Sequence, residues 1–262
     1  MLSCTSKLPK DFNSYFRNYL IMIFPVKVPY TVSADISKYV GPAFNPSPTP
    51  AYLEQKMNEL TQWSDSLCVQ YPAAQSYVNL LAKYCGFLET DSLRAIALQL
   101  EEDLAIMVNG KLSAICFCFP SGFVPKTKLG ESFFDLHLPV SDGERLRASS
   151  EKVMQVICKP DAMYRRYVWT ITSLGSLSQL SHYERPLPVS LDDLYFRTET
   201  QTTVGVDGSA CFFFVKVDNQ PLSLIWEDKE KRSILMDSLN SMSDAVVQYK
   251  HLTYIRELLK KW

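Results

Sequence analysis

No two cysteines in this chain have the CxxC spacing, which excludes a zinc ribbon and a thioredoxin-like redox pair. There is no GxGxxG, no GxxxxGK[ST] and no HExxH, so nucleotide-binding folds and zincins receive no support. The GxSxG nucleophile elbow of α/β-hydrolases is missing as well. No apolar run approaches the roughly 20 residues of a membrane span. The longest early run, residues 20–24, is too short for a secretory h-region, and Lys10, Asp11 and Arg17 precede it without a small-residue cleavage site. The formal net charge of -1 supplies no global field for nucleic acid or an anionic membrane. These absences predict a cytoplasmic protein that binds neither.

What is present is ordinary for a globular chain. Hydrophobic residues make up 47% and charged residues 21% of 262 positions, enough to bury one substantial core. The cysteines number seven, an odd count, and Cys116, Cys118 and Cys211 lie in apolar runs. Buried, reduced thiols are expected, as suits a reducing compartment.

Residues 1–50 read as irregular, because GPAFNPSPTP (41–50) carries four prolines that suppress helix and central strand alike. Residues 51–86 carry apolar side chains at helical spacing, interrupted at Pro72, and predict two helices. Thr90 or Asp91 can cap a further helix whose stripe is Leu93, Ile96, Ala97, Leu100, Leu104 and Met107. That reading turns Glu101, Glu102 and Asp103 away from the core and ends the helix at the turn pair Asn109-Gly110. The texture then changes. Segments 112–119, 132–140, 167–172, 194–203 and 211–217 read as strands, with Asp207-Gly208 as the hairpin turn between the last two. A helix is expected over 144–158. A long amphipathic C-terminal helix carries Leu235, Leu239, Met242, Val246, Tyr249 and Leu252. The fold class is therefore α+β: a central antiparallel sheet, flanking helices and a long C-terminal helix.

A few residues stand out chemically. Among three histidines, His137 sits in an apolar setting before Pro139. A histidine so placed is usually a core residue and less often an axial ligand through a neutral ring nitrogen. Arg197, Glu199 and Gln201 alternate in a strand and therefore share one face. They form either a polar site at the sheet surface or a solvent-facing ladder. Lys128 is a loop lysine able to meet a carboxylate, and Ser121 is a hydroxyl donor.

The ordered series EEDLAIM (101–107), FPSGFVPKTKLG (119–130), DLHLPV (135–140), YFRTETQT (195–202), SACFFFVKV (209–217) and YKHL (249–252) resembles the α-subunit family of haem-dependent oxidative N-demethylases. The resemblance runs from about residue 90 to the C-terminus. It implies a PAS-like haem domain over 90–262, with 1–89 as an irregular and helical segment packed on it. It implies haem b as cofactor, held without covalent attachment since there is no CxxCH, and His137 as the axial ligand. Lys128, Arg197, Lys216 and Ser121 are then cofactor-binding residues, with Arg166 a further carboxylate partner and Trp169 a packing residue. Glu199 and Arg197 become the catalytic pair. The implied reaction is O2-dependent oxidation of a C–H bond next to nitrogen in a small secondary amine. Electrons would come from NAD(P)H through a separate flavin or iron–sulfur reductase. The sequence departs from the family at Phe123, Val168, Thr200 and Lys216, where tryptophan, asparagine, arginine and arginine are usual. These departures leave two alternatives: a non-catalytic haem- or ligand-binding sensor, and a haem-free relative.

Overall fold

The computed structural model describes residues 23–87 and 90–262. Cys4 and residues 20–22 of the early apolar run lie outside that range. Seven strands form one sheet in the order β1-β5-β6-β7-β3-β4-β2, every neighbouring pair antiparallel. The strands are β1 (Ser37–Lys38), β2 (Cys68–Gln70), β3 (Asp103–Val108), β4 (Lys111–Cys116), β5 (Met163–Thr172), β6 (Tyr195–Gly205) and β7 (Ala210–Pro221). This mixed α+β fold with its central antiparallel sheet is consistent with a PAS-like architecture. Both edge strands come from the first 89 residues, so that segment is part of the sheet itself.

Alternation sorts the side chains of β3 and β7 between two environments. Leu104, Ile106, Phe212 and Phe214 pack with α1 (Pro50–Leu67), α2 (Gln75–Cys85) and α3 (Leu93–Ala97). Ala105, Met107, Cys211 and Phe213 join a second cluster with Val153 and Ile157 of α6 (Ser150–Ile157). Pro72 opens a short 3-10 turn between α1 and α2, as the sequence predicts, although β2 in that interval carried no clear strand signal. The 144–158 helix is present as α5 (Glu144–Ala148) followed by α6. All cysteines in the described range are free, and all but Cys68 are buried.

Three expectations are corrected. The helix begun at Leu93 stops at Ala97, with Ser92 rather than Thr90 or Asp91 as its cap, and residues 103–108 are strand. Lys56 explains the break. Its fully buried ammonium donates to the carbonyls of Ala97, Leu100 and Glu102 at 3.0, 3.0 and 2.6 Å, tying off the helix end. Asp103 lies 3.7 Å from the same ammonium. Glu101, Glu102 and Asp103 are consequently buried, not solvated. Glu102 accepts the Asn45 N–H at 2.9 Å and Asp103 that of Phe119 at 2.8 Å, so the acidic run fastens two loops to the sheet.

The 132–140 segment is not a strand. It forms α4 (Phe133–Leu136), opened by a reciprocal Ser132/Asp135 capping box, and His137 is the residue that ends it. The C-terminal helix is likewise three pieces: α8 (Lys229–Ser241), α9 (Asp244–Tyr249) and α10 (Thr253–Leu259), preceded by the short α7 (Ser223–Trp226). Ser243 interrupts by capping α9 through the Val246 N–H, and His251 takes a left-handed φ of 57° between α9 and α10. The apolar stripe survives the breaks, since Leu235, Leu239, Met242, Val246 and Leu252 all pack with Trp169, Ile171 and Phe196. Tyr249 leaves that stripe and is exposed.

The turns follow their residues. Asn109 and Gly110 both adopt positive φ (50° and 74°), matching the twist of the β3–β4 hairpin. Asp207-Gly208 lies in a four-residue connection, 206–209, where only Gly208 of the pair has positive φ.

Burial pushes the Glu102 carboxyl up to about 7, from 4.5, despite its bond from Asn45. The folded state thus favours the protonated form. Its contribution is whole below pH 4.5 and declines as pH rises toward 7, where the unfolded chain has already released the proton. Glu102→Gln flattens stability against pH across that window in chemical denaturation, and an unchanged slope contradicts the assignment.

Candidate functional site

A cavity of about 820 Å³ opens on the Ala105/Met107/Phe213 side of the sheet, within the size range of cofactor and ligand sites. Its walls have two characters. Met107, Ile115, Phe133, Leu136, Val153 and Phe213 make an apolar chamber. Arg166, Glu199, Gln201, Gln179 and Lys250 make a polar end.

β6 builds the polar end by alternation. Arg197, Glu199 and Gln201 all line the cavity, and their neighbours on β5, Thr170, Val168 and Arg166, line it too. Arg197 is 1% exposed and fully engaged with protein. Its Nη1 donates to Leu177 O at 2.6 Å, its Nη2 to Phe119 O at 2.9 Å and its Nε to Ser121 Oγ at 3.0 Å. Ser121 in turn donates to Glu199 Oε1 at 2.6 Å, while Gln201 Nε2 donates to Oε2 at 2.7 Å. The guanidinium therefore acts on Glu199 through Ser121. Burial lowers the Arg197 pKa, and Glu199 opposes that.

His137 lines the apolar part. Its Nδ1 sits 2.6 Å from Phe133 O, and a carbonyl partner requires Nδ1 to carry the proton. That tautomer leaves the lone pair on Nε2. Burial lowers the His137 pKa, the Phe133 bond opposes this, and nearby Arg166 and Arg147 lower it further, so the ring is held neutral. His251 lines the cavity from an exposed position. His182 packs instead on Trp63, ring centroids 4.9 Å apart.

Other expected residues separate. Lys128 lines the cavity but is paired with Glu131 at 3.1 Å. Phe123 lines it as an aromatic wall. Gly130, with φ 87°, brings its Cα so close to Tyr71 that an added Cβ would stand 2.5 Å from the hydroxyl, which makes it a structural glycine. Lys216 does not join the site: opposite Thr200 in the ladder, it has the other parity from Glu199 and binds Glu101 at 2.8 Å. Burial would lower its pKa, but Asp218 and Glu101 outweigh that and raise it.

Lys250 is a site residue that sequence reasoning missed. It lines the cavity, donates to Trp169 O at 2.8 Å and lies over the Tyr30 ring at 5.5 Å. Burial pushes its pKa down to about 8, with Glu199 opposing. The signal was the YKHL tetrad, whose first three residues all face the cavity. Gln179 was missed as well. It holds the Ser121 loop through a backbone bridge, and its Nε2 is buried without a partner among the described residues.

Among the described residues no three His, Cys, Asp or Glu side chains converge on a bare metal ion. A neutral histidine on an apolar wall, with the cations Lys128, Arg166 and Lys250 lining the same cavity, suits instead an iron already held in a planar carboxylate-bearing macrocycle. These features define a cofactor-and-ligand cavity on a PAS-like sheet. The family described as "Haem-dependent oxidative N-demethylase, alpha subunit-like" matches residues 52–260, and the chain belongs to it. It is therefore an oxidoreductase-type enzyme with a haem-associated oxidative function. No curated protein matches the chain. No helix among the described residues is long and apolar enough to cross a membrane.

Arg197→Met leaves the carbonyls of Phe119 and Leu177 without their donors. It should destabilise the fold by about 3 kcal/mol in urea denaturation. Ser121→Ala, which removes the acceptor of Arg197 Nε and the donor to Glu199 but spares both carbonyl bonds, should cost about 1 kcal/mol. Equal losses from the two would contradict the clamp.

Proposed function

We propose that the cavity holds haem b with His137 as its axial ligand, and that the enzyme oxidises a C–H bond next to nitrogen in a small secondary amine. The observation that carries this reading is the His137 ring itself: half-buried, neutral, proton fixed on Nδ1 by Phe133 O, Nε2 free for a bond. When bound, haem supplies O2 chemistry that converts an N-methyl group to formaldehyde, with electrons arriving from NAD(P)H through a separate flavin or iron–sulfur reductase.

The chain's own residues do the rest. Lys128, released from Glu131, would neutralise a haem carboxylate. Glu199, both oxygens oriented by Ser121 and Gln201, accepts a hydrogen bond from the substrate ammonium and passes protons at that atom. Arg197 is a positioning residue, because its buried fork holds Phe119, Leu177 and Ser121. Lys216 takes no part, its charge being met by Glu101. The apolar walls exclude water from the reacting carbon. A cytoplasmic location belongs to the same proposal.

Haem added to the purified chain should produce a Soret band that shifts with a secondary methylamine. His137→Ala should alter both affinity and band position, and reductant with O2 should release formaldehyde. A Soret band without product would favour a sensor. Identical spectra for wild type and variant would remove His137 from the iron.

A further inference from the structure

Opposite charges at the polar end of the cavity are near one another yet kept apart. Arg166 stands across from Gln201, and Glu199 is two residues earlier on β6, so the two are diagonal neighbours on one face. Such neighbours have Cα atoms roughly 7–8 Å apart, within reach of long side chains. Among the described residues neither makes an ion pair with the other. Glu199 is turned aside because Ser121 and Gln201 already hold its oxygens. Among the described residues, Arg166 Nε is buried with no hydrogen-bond partner. Lys250 adds a second cation, with one of its three donors used on Trp169 O. Leaving a guanidinium nitrogen buried and unmatched is costly, and such groups in native proteins call for an explanation.

A simple secondary ammonium would satisfy Glu199 and leave Arg166 and Lys250 as they are. A ligand with an ammonium at one end and a carboxylate at the other satisfies all three. We infer that the substrate is an N-methylated amino acid, its ammonium on Glu199 and its carboxylate on Arg166 and Lys250. The inference rests on the proposed oxidation only for the fate of the methyl group; the recognition is a property of the chain alone. The haem's own carboxylates offer the same chemistry and are the competing occupant of Arg166.

Calorimetric titration of the chain with and without haem separates these cases, using N-methylglycine, dimethylammonium and acetate as probes. N-methylglycine should bind at least about tenfold more tightly than either fragment, as expected when charge-assisted hydrogen bonds are added. Arg166→Gln should abolish that advantage and leave dimethylammonium binding unchanged. Glu199→Gln should weaken both amines and spare acetate. Arg166→Gln should also melt no lower than wild type, because it removes an unmatched buried charge; a purely structural arginine would lower the melting temperature. His137→Ala should keep N-methylglycine binding even where haem ligation is lost, so failure of the haem assignment leaves this result standing. Equal affinity for N-methylglycine and dimethylammonium overturns the inference. So does an Arg166→Gln variant that loses haem affinity while keeping its amine preference, the result expected if a haem carboxylate occupies Arg166.

Discussion

One buried guanidinium organises the functional half of this molecule. Arg197 reaches from the central strand β6 into two loops, binding Phe119 O and Leu177 O, and its third direction sets Ser121 against Glu199. A buried charge survives only where each donor meets an acceptor. The requirement fixes the loops, and the loops fix the carboxylate. Without that fork the polar end of the cavity would have no defined geometry, and a small cationic ligand would find no oriented acceptor.

The opposite environment of the sheet rests on a second buried cation. Lys56 joins the end of α3, the start of β3 and the Asp103 carboxylate. Division of labour follows from strand parity: β3 and β7 give one set of side chains to the helical core and the other to the cavity. The same parity separates Lys216 from Glu199 although they lie on adjacent strands. Conversely, it gathers Arg166, Val168 and Thr170 with Arg197, Glu199 and Gln201.

Much of this was legible in the sequence because it depends on local chemistry. Two-residue alternation gave β6 and the shared face of Arg197, Glu199 and Gln201; Asn109-Gly110 gave a turn, though at the end of a helix and not between two strands; Pro72 gave a helix break. Where reading failed, distant contacts prevailed. Leu100, Leu104 and Met107 keep helical spacing, yet pairing with β4 and β7 on both sides makes the second half of that segment a strand. The Lys56 ammonium that enforces the change is about 45 residues away in sequence, beyond any periodicity. For α4 the fault was different, since the Ser132-x-x-Asp135 box was visible and was outweighed by the apolar run that follows it. Lys250 was not singled out within the YKHL tetrad because its role comes from the chain folding back over Tyr30 and Trp169.

The central claim is that one neutral imidazole, His137, supplies the bond to iron, while His251 lies exposed at the same cavity and His182 is packed elsewhere. Three histidines make a complete test possible. Electron paramagnetic resonance of the haem-loaded chain, with histidine labelled by nitrogen-15, should show hyperfine coupling to an imidazole nitrogen. The account predicts that this coupling disappears in His137→Ala and persists in His182→Ala and His251→Ala. Coupling that survives in His137→Ala, or disappears in His251→Ala, would contradict it.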